Sequence, residues 1–186
     1  MSLIRVLAVA MLCAALLVAS PLCAQQAPAP NPLDAVPDKM PFNIPYGPPI
    51  NLERAQALIG TAIAEANKHD WKMNVTVVDS GGNLVAFQRM DGAQLASIQI
   101  SEHKARYAAT WRRESKVAES AIQGGLNYLI TLDGVIASRG GIPLISQGEF
   151  IGAIGCSGGT DSQDEVVSKA GAAVIDKVQA AIGSSI

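Results

Sequence analysis

The chain has 186 residues, 49% of them hydrophobic and only 4% aromatic, and its 14 basic and 16 acidic side chains give a net charge of −2. No basic stripe breaks that near balance, so nucleic-acid binding has no electrostatic support. Three cysteines and two scattered histidines lack zinc-type spacing, which argues against a metal centre built from protein ligands alone.

The first residues, MSLIRVLAVAMLCAALLVASPLCAQQ, put Arg5 before a long apolar run that ends in small residues near Ala24. That is the layout of a secretory signal peptide over residues 1–24, and it predicts a periplasmic or secreted protein. The alternatives are acylation of Cys23 and an uncleaved anchor. No later apolar segment is long enough to span a bilayer, so no membrane association is expected after cleavage. The mature chain of about 160 residues would carry 13 basic and 16 acidic groups and a single cysteine, Cys156. It suffices for one domain with a proper core. Cys156 lies in the apolar run FIGAIGCSGG and reads as a buried structural thiol.

Residues 25–50 are rich in proline, which removes donors and favours an extended arm over a helix. Phe42, Ile44 and Tyr46 alternate, so the end of the arm is expected on the domain or on a partner subunit. A helix is then predicted from Asn51, a good N-cap, with apolar positions at Leu52, Ala55, Leu58, Ile59, Ala62, Ile63 and Ala66. MNVTVVD and LVAFQRM, separated by SGGN, read as a hairpin. A second helix is predicted over about Gln94–Arg112, and shorter helical pieces over Glu114–Ile130, broken at Gly124-Gly125. IPLIS and FIGAIGCS, joined by QGE, form a second hairpin. Asp161 or Ser162 is expected to cap a last helix running to about Ile182. The order helix, hairpin, helices, hairpin, helix predicts an α+β fold: an antiparallel sheet flanked by α-helices in a single compact domain.

Within the second helix, Ile98, Ser101, Ala105 and Ala108 share one face at 100° per residue and should press on the sheet. Glu102 and Arg106 lie at i and i+4, an ordinary solvated ion pair. Between these faces runs a strip of Ala96, Ile100, Tyr107 and Trp111, with Lys104 in it and His103 at its margin. Such a strip is where a helix meets either a flat ligand or another subunit. A haem would need an apolar wall, cations for its propionates and an axial donor. His103 offers nitrogen, and Lys104, Arg106, Arg112 and Arg139 offer charge. The alternative reading is an exposed histidine beside a subunit contact. His69 is expected to act at a helix end.

The glycine pairs match no phosphate-binding loop. Gly81-Gly82 fits a hairpin turn. Arg139-Gly140-Gly141 is either a loop entering a strand or an anion site for a small organic acid. Gly158-Gly159-Thr160-Asp161 leads into a helix N-terminus, where capping is expected. No catalytic constellation stands out, and Asp79, Asp91 and Asp133 look like turn residues.

Four stretches together resemble the GlcG/HbpS-like haem-binding family: VVDSGGNLVAFQRMDGA (Val77–Ala93), ISEHKARYAATW (Ile100–Trp111), GGIPL (Gly140–Leu144) and FIGAIGCSGGTDSQDEVVSKAGAAV (Phe150–Val174). The resemblance covers roughly Asn51–Ile182. It implies a compact antiparallel sheet with flanking helices, homo-oligomers, haem as cofactor and, in some members, haem degradation or redox sensing. One member uses an acidic pair on this second helix for iron. Glu102 matches its second residue, and Gln99 stands in place of the first. The cofactor-binding expectation therefore names His103, Lys104, Tyr107 and Arg139, with His103 and Glu102 as metal candidates. His103 as axial ligand is a choice made on chemistry, not on the resemblance. A small organic-acid or metabolite-binding module without haem is the alternative.

Overall fold

The computed structural model describes Asn31, residues 34–40 and residues 42–177. The expected signal peptide lies outside these residues. The chain divides into residues 1–39 and a compact unit from Met40 onward. In the first, the described residues hold one turn, in which the Asp34 N–H donates to the Asn31 carbonyl at 2.9 Å. All that follows concerns the second.

Helix α1 spans Leu52–Lys68, and Asn51 caps it by accepting from the Arg54 N–H at 3.0 Å. Strands β1 (Asn74–Asp79) and β2 (Leu84–Arg89) form the first hairpin. Its turn is closed by Asp79, whose carboxylate accepts from the Gly81 and Asn83 N–H groups at 2.8 and 2.9 Å. Helix α2 (Ser97–Thr110) starts later than expected, and Ala96 before it provides no side-chain cap. Helix α3 (Lys116–Gln123) and a 3-10 helix (Asn127–Thr131) follow, separated at Gly124-Gly125 as the composition predicts.

Strands β3 (Gly141–Ser146) and β4 (Glu149–Ser157) make the second hairpin. Its two-residue loop, Gln147-Gly148, has φ of 53° and 83°, the left-handed pair that a tight hairpin turn requires. Helix α4 (Asp161–Ala172) is capped by Thr160, one residue before the expected position, in a reciprocal box with Gln163. Residues 175–177 are again helical, and the extension expected to Ile182 runs outside the described residues.

The sheet order is β2-β1-β4-β3, antiparallel throughout. Alternation along β1 separates two cores. Val75 and Val77 join Ala55, Leu58, Ile59 and Ala62 of α1 and Val167 of α4 in the larger one. Val78 meets Ala105 and Ala108 of α2, with Phe150 and Ala153 of β4. The molecule is thus α1 and α4 on one face of the sheet and α2 on the other. The expected α+β architecture is what is observed.

Two glycines let α2 lie directly on the strands. A Cβ on Gly155 would stand 2.3 Å from the Ser101 carbonyl oxygen, and one on Gly141 would stand 2.2 Å from that of Lys104. The last residues of the arm also belong to this face. The Phe150 N–H donates to the Pro45 carbonyl at 2.8 Å, Tyr46 meets the Phe150 ring edge-on at 5.7 Å, and Ile44 packs against the α2 cluster.

Candidate functional site

Helix α2 is divided by what its side chains touch. The buried side carries Ser101, Lys104, Ala105, Tyr107, Ala108 and Ala109. Ser101 and the Thr76 hydroxyl are 2.8 Å apart, a polar link from helix to sheet.

Lys104, expected in a ligand-facing strip, is fully buried. Its ammonium donates to Asp164 of α4 at 2.7 Å, with Asp161 at 3.6 Å, so its charge is spent inside the domain. Asp164 also accepts from the Gly159 N–H at 3.0 Å. Burial raises the Asp164 pKa, and Lys104 opposes that shift. The sequence hid this role because the partner stands 60 residues away.

Arg139 is also committed. Its backbone N–H and Nε donate to Glu119 at 2.8 and 3.0 Å, Nη2 bonds the same carboxylate, and Glu165 lies 3.5 Å from Nη1. The Gly141 N–H is taken by Ser115 Oγ at 2.9 Å, while the Gly140 carbonyl accepts from Ser168 Oγ and the Cys156 N–H. At the organic-acid site expected at Arg139-Gly140-Gly141, the Arg139 guanidinium and the Gly141 N–H are thus already engaged within the domain. Gly141 admits α2 to the strand, while a Cβ on Gly140 would stand 3.0 Å from Asp164 Cβ of α4 and from the Cys156 carbonyl oxygen.

Other expectations are met. Cys156 is buried, and desolvation pushes its thiol up to about 12, which keeps it protonated and inert. His69 is the C-cap residue of α1 and stacks on Trp71 with centroids 4.3 Å apart. Thr160 satisfies the N-terminus of α4.

The open side of α2 carries the rest. Gln99, Glu102, His103 and Arg106 line a surface depression of about 390 Å³. Glu102 and Arg106 face each other at 3.8 Å, and the His103 imidazole is exposed, with no hydrogen bond among the described residues. Glu102 and His103 thus lie side by side, but among the described residues no third ligand completes a metal cluster.

One helical turn on from His103, the ring of Tyr107 stacks on Trp111, with centroids 5.6 Å apart and an interplanar angle of 15°. The pair forms one wall of a cavity of about 240 Å³ closed by α3 and the 3-10 helix, through Val117, Ala121, Leu126 and Leu129, and by Val135 of the loop that follows. Tyr107 is 2% exposed, and its hydroxyl has no hydrogen-bond partner among the described residues. Burial raises its pKa, with Arg113 opposing, so it stays a neutral phenol.

Arg113 also lines this cavity, and its guanidinium carbon sits 3.4 Å from the centroid of the Phe42 ring and 5.3 Å from that of Trp111. Arg113 was absent from the sequence expectation because its position depends on the arm. Arg112, which was included, instead donates to the Ile44 carbonyl at 2.8 Å and covers the Tyr46 ring.

Known proteins share this fold. GlcG of Escherichia coli K12 is 39% identical over 108 residues, 58% of this chain and 81% of GlcG. The crystal structure of Klebsiella pneumoniae ORFY superposes with a TM-score of 0.66 at 30% identity, over 76% of this chain and 97% of ORFY. A double mutant of Streptomyces reticuli HbpS gives a TM-score of 0.64 at 28% identity, over 79% and 98% of the two chains. The family described as "Haem degrading protein HbpS-like" matches residues 50–173, and the chain belongs to that family.

Proposed function

We propose that this domain binds haem along the open side of α2. One observation carries the reading: an apolar cavity walled by the stacked Tyr107–Trp111 pair opens one turn from the unengaged imidazole of His103. Membership of a family described by haem degradation supports the same ligand.

The residues suit a tetrapyrrole in kind. Aromatic and aliphatic walls match an apolar macrocycle, Arg113 and Arg106 are cations suited to carboxylates, and His103 supplies a nitrogen donor. The cavity is smaller than the roughly 300–1,000 Å³ of enclosed cofactor pockets. It accordingly takes part of the ligand, and the neighbouring depression adds room. Tyr107 acts as a wall and as a neutral hydroxyl donor. Bound haem would bring the iron and its redox chemistry; the chain supplies binding, orientation and a partly dry surround.

On this reading the protein acts outside the cytoplasm, as its first 24 residues suggest, and works as a homo-oligomer. Binding is tested by titrating hemin into the purified protein. A saturable Soret shift is expected, with His103→Ala losing the nitrogen-ligated band. A spectrum indistinguishable from free hemin at all ratios would sink the reading.

A further inference from the structure

A separate cavity of about 110 Å³ lies where the β3–β4 turn meets the first turn of α1, lined by Pro48, Arg54, Ser146, Gln147, Glu149 and Ile151. Arg54 is the third residue of α1 and only 8% exposed. Among the described residues it forms no ion pair. Burial lowers its pKa, and Asp176, acting at longer range, opposes that shift only in part.

A guanidinium has five N–H donors. Here Nη2 donates to Ser146 Oγ at 3.1 Å, and Nε is buried without a partner. Ser146 is itself held by donating to Asp176 at 2.8 Å, which leaves its lone pairs for Arg54. A buried donor of a cation left without a partner is costly unless something else satisfies it. The first turn of α1 adds the positive end of a helix dipole at the same place.

We propose that the Arg54 pocket is a binding site for a small monocarboxylate, with the Arg54 guanidinium as its counter-ion. At about 110 Å³ the cavity equals the share of about four waters in the liquid, a size that suits a ligand of a few heavy atoms. Pro48 and Ile151 offer apolar surface to a methyl or methylene group. Glu149 lines the same pocket and repels any anion, and Asp176 adds to that repulsion, so a single charge is favoured over the two of phosphate. None of these residues belongs to the α2 face, so the proposal stands apart from haem binding.

The test is titration of the purified protein with sodium acetate, followed by the NMR resonance of Arg54 Nε–H, with sodium chloride at equal ionic strength as control. Saturable movement is expected, with a Kd of about 0.1 mM or weaker, the limit for so few atoms. Inorganic phosphate should bind less well. Glu149→Gln, at the exposed first residue of β4, should tighten acetate binding several-fold, and Arg54→Lys should weaken it about tenfold or more. The proposal is overturned by a linear response that chloride reproduces, or by acetate affinity unchanged in Glu149→Gln. Should Arg54→Lys fail to fold, the Glu149→Gln comparison still decides.

Discussion

Lys104 shows how a single side chain can be misread from its neighbours. On a helical wheel it falls in the strip with Tyr107 and Trp111, yet its four-carbon stem carries the ammonium beneath the surface to Asp164. Each charge is out of water and tolerable only because of the other. Lys104→Met should therefore cost about 3–5 kcal/mol in a urea unfolding experiment, since Asp164 is left buried and unpaired. Adding Asp164→Asn should restore most of that loss, because the amide can still accept from Gly159. A Lys104→Met cost below about 1 kcal/mol would show that the pair is not closed to solvent as described. Cys156 and His69, by contrast, were legible from local context alone. An apolar run around a thiol and a helix end beside an imidazole need no distant partner to be understood.

At the scale of elements, the sheet and its helices followed from periodicity and turn chemistry. Alternation in NVTVVD, the Asn51 cap and the glycines of both hairpins act over a few residues, so a sequence exposes them. The position of α3 did not follow, because it is tied down by contacts between segments far apart. Glu119 of α3 holds Arg139 of the loop before β3, and Glu165 of α4 joins them. Hydrogen bonding from Arg139 holds the Glu119 carboxyl below its ordinary range, against burial, which would raise it.

A carboxylate with a depressed folded-state pKa adds stability above its unfolded pKa of about 4.3, and that stability is lost as pH falls through the lower folded value. Acid unfolding followed by circular dichroism should thus show a stability loss beginning near pH 4 that is reduced in Glu119→Gln. An identical acid limb in the variant would contradict the assignment.

For the whole molecule, the candidate site is assembled from pieces that no single segment reveals. His103, Tyr107 and Trp111 were visible as a strip on one helix, and the family resemblance supplied haem as the ligand to consider. The opposite wall comes from α3 and the 3-10 helix, and Arg113 is set by Phe42 of the arm. Those contacts join residues tens of positions apart, beyond the reach of helical spacing. The same long-range packing pairs Lys104 with Asp164 and Arg139 with Glu119 inside the domain.

The proposed role of the cavity beside Tyr107 and Trp111 is to receive haem. Its most direct test is a cavity-filling variant, Ala121→Phe, which changes the wall opposite the aromatic pair without touching His103. Hemin titration of this variant, alongside thermal unfolding to show that the fold is intact, should give an affinity at least about tenfold below wild type, the loss of about 1.4 kcal/mol of binding. Wild-type affinity in a folded Ala121→Phe protein would mean that haem does not enter this cavity.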